Sequence, residues 1–173
     1  MMKNLFLSIL FFAGILSTIA QSQFIMDNSR LEEQLAKHAD TIVGENGRWQ
    51  LLYNEVPMMV VTAPQADRMR IIAPITESAK LDEGLLLDCM TANFHSALDV
   101  KYAVSDDILW SVYIHPLSPL TDEQVESALS QVYSAVVTFG TSFSSTELIF
   151  GGPAEPSEEE QEEESKPVKL KKT

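Results

Sequence analysis

Apolar positions along this chain change period several times, and each change marks the boundary of an element. In LEEQLAKHAD, Leu31, Leu35 and His38 recur at i, i+4 and i+7, which is one face of a helix. Ser29 stands before that run with Glu32 three residues on, so the pattern predicts a capping box at Ser29 and a helix of about three turns ending before Gly44. The period then drops to two. Trp49, Leu51 and Tyr53 alternate with Arg48, Gln50 and Leu52, as in a strand with one covered face. PMMVVTA follows Asn54–Glu55, with Pro57 at its start, where a missing backbone donor does least harm. Pro64, Ala66 and Asp67 mark a turn, and RMRIIAPI supplies a third strand with Arg68 and Arg70 on one face. An antiparallel meander is the simplest arrangement of these three runs.

From Leu81 to Phe94 the apolar residues are too dense for alternation, and Asp82 and Glu83 open the run. Acidic residues beside the positive end of a helix favour a second helix here, in which Gly84 costs up to ~1 kcal/mol relative to Ala. ALDVKYAVS and ILWSVYIH then flank Asp106–Asp107, a hairpin signal that Pro116 and Pro119 close. Thr121 with Gln124 forms a second capping box. Behind it Val125, Leu129, Val132, Val136, Phe139 or Gly140, and Phe143 make a stripe about five turns long, suited to lying across a sheet. On the last strand Trp110, Val112 and Ile114 share one face, taken as the inward one, which leaves Leu109, Ser111, Tyr113 and His115 outward.

The element order is therefore α-β-β-β-α-β-β-α. With Asn93 ending the second helix, then KYAVSDDILWSVYIHPL, then LTDEQVESALSQVYSAV, residues 28 to 145 resemble the type III secretion chaperone-like (Tir chaperone-like) fold and, within it, the YbjN-like family. The resemblance implies an α+β domain with one five-stranded, mostly antiparallel sheet and three packed helices. It also implies a binding protein, because secretion chaperones of this fold form dimers that wrap an extended segment of a partner.

The two ends of the chain change this picture. MMKNLFLSILFFAGILSTIAQSQ carries one early cation, Lys3, an uncharged run from Leu5 to Ile19, and small residues at Thr18 and Ala20. That is the pattern of a secretory signal peptide over residues 1 to 20, cleaved after Ala20. Its run of about 15 residues is short of the ~20 that span a bilayer, so a retained anchor is the minor alternative. Secretion chaperones act in the cytosol, whereas this chain is expected in the periplasm or outside the cell. Residues 153 to 173 are expected to form a disordered tail, with seven Glu followed by four Lys and almost nothing apolar. Glu158 to Glu164 lack the Asp, Asn and Gly that build a calcium loop, so no metal is assigned.

Residues 21 to 152 remain as one domain. Its 18 carboxylates against seven cations leave it 11 units negative, a field that repels nucleic acid and anionic lipid. Cys89 is the only cysteine, so an intramolecular disulfide is excluded, and its apolar surroundings in the sequence make it a small core residue. His38, His95 and His115 stand in no metal or nucleophile motif. Asp106 and Asp107 read as solvated turn residues rather than a catalytic pair. No catalytic residue, cofactor or metal site is assigned, and the chain is not expected to be an enzyme.

The expected function is an extracytoplasmic, non-catalytic protein-binding module with a chaperone-like or regulatory role. Its partner would be another polypeptide, with a homodimer of the chain as a second expected pairing and no stable membrane insertion after signal cleavage. Met and aromatic side chains on strands either fill core or make an adaptable binding face. On the second reading the partner-binding candidates are Met58, Met59, Leu109, Tyr113, Val132 and Val136. The alternative is a small-ligand or hydrolytic protein with a pocket between helix and sheet.

Overall fold

The computed structural model describes residues 25 to 148. The expected signal peptide and the expected tail lie outside the described residues. In chain order the elements are α1 (Asn28–His38), β1 (Thr41–Glu45), β2 (Arg48–Tyr53), β3 (Val56–Ala63), β4 (Arg68–Glu77), α2 (Glu83–His95), β5 (Lys101–Ser105), β6 (Ile108–His115) and α3 (Asp122–Val137). Single 3₁₀ turns at Pro64–Ala66 and Ser78–Lys80 bracket β4. No helix among the described residues is long and apolar enough to cross a membrane.

The three expected helices and the antiparallel sheet are present, but the sheet has six strands rather than five, in the order β1-β2-β3-β4-β6-β5. The extra strand is β1, in the stretch expected to be the end of the first helix. Ala39 is already extended (φ −79°, ψ 144°), and Thr41, Ile42 and Val43 form a β-branched run whose stiff side chains suit a strand. Asn46 and Gly47 then turn the chain with φ 54° and 82°. Positive φ at both central residues defines the type I′ hairpin turn, for which Asn-Gly is the preferred pair. The same device recurs at Asn54–Glu55 (47°, 66°) and Asp106–Asp107 (50°, 60°).

The caps divide in the same way. Thr121 behaves as expected: its hydroxyl accepts from the Gln124 amide at 3.2 Å, and the Gln124 side chain accepts from the Thr121 amide at 2.9 Å. Ser29 does not cap α1. Asp27 does, accepting from the Arg30 amide at 2.9 Å, since the helix begins two residues earlier than the capping-box pattern suggests. The α3 stripe also stops sooner than expected, at Val137, with Phe139 and Phe143 packing from the turn that follows.

All three helices lie on one side of the sheet. α3 crosses β4 and β6 and packs against α1, while α2 covers the start of β5. The covered face buries Trp49 and Leu51 of β2, Met58 and Val60 of β3, Met69, Ile71 and Ala73 of β4, and Leu109, Ser111 and Tyr113 of β6. This inverts the assignment for β6: Trp110, Val112 and Ile114 point away from the helices. Both faces of that strand are apolar, so alternation identifies a strand without saying which side is covered. Packing decides it. Ala73 lies opposite Ser111, and Ala128 and Ala135 are buried on α3, so small residues on both layers let the helix approach the sheet closely.

Candidate interaction surface on the open sheet face

The opposite face of the sheet carries no helix, and strand register sorts it into rows. The middle row runs Val43, Gln50, Met59, Ile72, Val112 and Lys101 across β1-β2-β3-β4-β6-β5. On one side of it, Leu52 stands opposite Thr41 and Pro57, and Trp110 stands opposite Pro74 and Ala103. On the other, Arg48, Val61, Arg70 and Ile114 line up over four strands. Val43 and Ile114 are 65% and 52% exposed, which for apolar side chains on one continuous sheet face marks an unfilled contact surface.

Between the first two rows lies a shallow depression of about 400 Å³ lined by Val43, Leu52, Pro57, Met59, Pro74 and Trp110. Two prolines in the floor remove backbone donors and leave apolar rings. One wall is held by the Trp110 indole, which donates to the Ser105 carbonyl across the hairpin at 3.0 Å. The third row has a different chemistry. Arg48 and Arg70 flank Val61, and Arg68 stands two residues along on the same face of β4, all three exposed. The surface is thus apolar in the middle and cationic at one end, on a chain of net charge −13.

A second exposed apolar surface belongs to α2. Only Cys89 and Ala92 of this helix are buried, while Leu87, Met90 and Phe94, at i, i+3 and i+7, are 64%, 70% and 78% exposed. The Cys89 thiol is held protonated by burial, its pKa pushed up, as expected for an inert core cysteine.

A small cavity lies between helix and sheet. Asp99, Tyr113, His115, Gln124 and Ser127 line about 240 Å³ beside α3 and β6. Burial pushes the Tyr113 phenol pKa up, and the His115 Nδ1 lies 2.7 Å from the Pro116 carbonyl. The three histidines stand at the ends of α1, α2 and β6. No group of three His, Cys, Asp or Glu side chains among the described residues is placed to hold a metal.

The residues singled out from sequence divide sharply. Met58, Leu109, Tyr113 and Val132 are buried beneath the helices and offer no surface in this structure, because β6 faces the other way and Val132 is on the covered side of α3. Val136 is half-buried against the same core, and Met59 alone sits on the open face. Ile72, Val112, Trp110 and Arg70 were missed as a group. Their signal was Arg70: an arginine on alternating β4 marks the solvent side, and its cross-strand neighbour Ile114 carries that marking onto β6.

Neither family models nor curated proteins match this sequence. Solved structures do. The Yersinia pestis type III secretion chaperone SycH, solved in complex with a stable fragment of YscM2, superposes with a TM-score of 0.51 at 16% identity, covering 65% of this chain and 98% of that one. A chain of the ExsC–ExsE complex gives a TM-score of 0.49 at 18% identity, covering 63% and 90%. The chain has the type III secretion chaperone-like fold.

Proposed function

We propose that this chain is a non-catalytic, extracytoplasmic polypeptide-binding module, chaperone-like or regulatory, that holds an extended segment of another protein against its open sheet face. The observation that carries the reading is the apolar middle row of Val43, Met59, Ile72 and Val112, uncovered on a six-stranded sheet whose other face packs against the helices. An extended segment laid there places alternate side chains into the depression and keeps the rest in water. The SycH likeness supports this, since that chaperone was solved holding a fragment of another protein. The outer row of α2, Leu87, Met90 and Phe94, is the surface through which two copies pair. The leader pattern of residues 1 to 20 supports export, and a recovered chain beginning at Gln21 is its test.

The binding reading is tested with fluorescent peptides tiled across exported proteins of the producing cell. A subset is expected to bind, and Met59→Glu with Ile72→Glu should weaken that binding at least about tenfold, roughly 1.4 kcal/mol. Peptide binding that survives both substitutions in a folded protein would overturn the assignment to this face.

A further inference from the structure

We propose that the acidic run Glu158 to Glu164 of this same chain docks in cis on the arginine end of the open sheet face. The inference rests on reading that face as a docking surface, and it names an occupant and a regulator for it.

Four of the seven cations of the described domain are engaged elsewhere. Arg30 is paired with Asp122, Lys37 with Glu33 and Lys80 with Glu77. The Lys101 ammonium donates to the Ala97 and Leu98 carbonyls at 2.9 and 2.7 Å. That leaves Arg48, Arg68 and Arg70, which take part in none of the ion pairs among the described residues and share one end of one face, with Arg68 also donating to the Asp67 carbonyl at 2.7 Å. Arg48 and Arg70 stand on either side of Val61, about 10 Å apart across two strand spacings. Guanidinium groups at that separation suit carboxylates repeated along an extended chain, each pair bonding through a planar fork. The rest of the domain is strongly acidic and turns such a run away. Glu45, opposite Arg48 on β1, and Asp67, whose carboxylate is stabilised in part by Arg68, are acids beside these arginines.

The reach is sufficient. The Ser145 amide donates to the Ser96 carbonyl at 3.1 Å, and Lys101 opens β5 beside it, so the described chain ends near the β5 edge of the sheet. From β5 to β2 there are four strand spacings, about 19 Å. Nine residues lie between Leu148 and Glu158, ten steps that span up to ~33 Å extended, enough to round the edge and cross. Six glutamates within residues 158 to 164 then extend over ~23 Å, enough to span the ~10 Å between Arg48 and Arg70. Docked there, the run competes with any partner that relies on those arginines, and the competition weakens with salt.

The test uses the full chain as recovered from the producing cell, with a nitroxide on Ser157→Cys in a Cys89→Ala background. At low salt the methyl signals of Val61 and Ile114 should broaden at least about twofold more than those of Leu87 and Met90, and should recover near 0.5 M salt. Replacing the six glutamates of the run with glutamine should abolish the effect, as should Arg48→Glu with Arg70→Glu. Broadening centred on α2, broadening seen only between labelled and unlabelled copies, or no selective broadening because the run pairs with Lys166 to Lys172, each overturns the proposal. Peptide binding to the face without the cis signal defeats this inference alone. The cis signal without any peptide binding defeats only the partner reading.

Discussion

Asp67 sits in the turn between β3 and β4 with φ +50°, a left-handed conformation that Asp tolerates better than most residues. Its carboxylate accepts the Ser118 amide at 2.7 Å and the Ser118 hydroxyl at 3.0 Å, tying this turn to the loop after β6. The Ser118 amide is the main reason its pKa falls below the usual carboxylate range. Asp122 is lowered in the same direction by its hydrogen bond from Arg30. A carboxylate with a depressed folded pKa adds stability that is present above its unfolded value, about 3.9, and is lost as pH falls through the folded value. Asp67→Ala should therefore lower the melting midpoint at pH 7, and the gap to the parent should narrow as pH falls below the unfolded value of about 3.9. A gap independent of pH would show that the carboxylate charge is not what matters. Sequence marked Asp67 as a turn residue, but Ser118 is 51 positions away, and no local pattern reports a partner at that distance.

At the scale of elements, the β1–β2 hairpin was legible and was missed. Asn46–Gly47 is the strongest short hairpin signal in the chain, yet the helical spacing of Leu31, Leu35 and His38 carries the eye past Ala39 into residues that are already extended. Gly47 has φ +82°, and a β-carbon there would run into the Thr62 hydroxyl. Gly47→Ala should cost about 1 to 2 kcal/mol for the left-handed backbone alone, read as a lower urea midpoint with unchanged slope. A neutral result would show that the hairpin tip relaxes freely. The Thr121–Gln124 capping box, by contrast, was readable because both of its bonds close within four residues.

At the scale of the whole molecule, two apolar surfaces stand out among the described residues, the middle row of the sheet and the outer row of α2. If α2 pairs two copies as proposed, Leu87→Glu with Phe94→Glu should convert a dimer to a monomer in sedimentation while leaving the thermal melt of each protomer nearly unchanged, since both side chains are largely exposed. A parent that sediments as a monomer at every concentration would remove the pairing and leave the sheet face as the partner surface.

Sequence by itself determined the helices, five of the strands, the closing capping box and the fold resemblance, because these depend on periodicity and contacts a few residues long. Tertiary structure alone decided which side of the sheet the helices cover. β6 is apolar on both faces, so its orientation depends on how Ala73, Ser111, Ala128 and Ala135 let one layer approach the other. That single choice moved Leu109 and Tyr113 into the core and brought Trp110, Val112 and Ile114 to the surface, because shifting a strand's covered side exchanges every side chain along it.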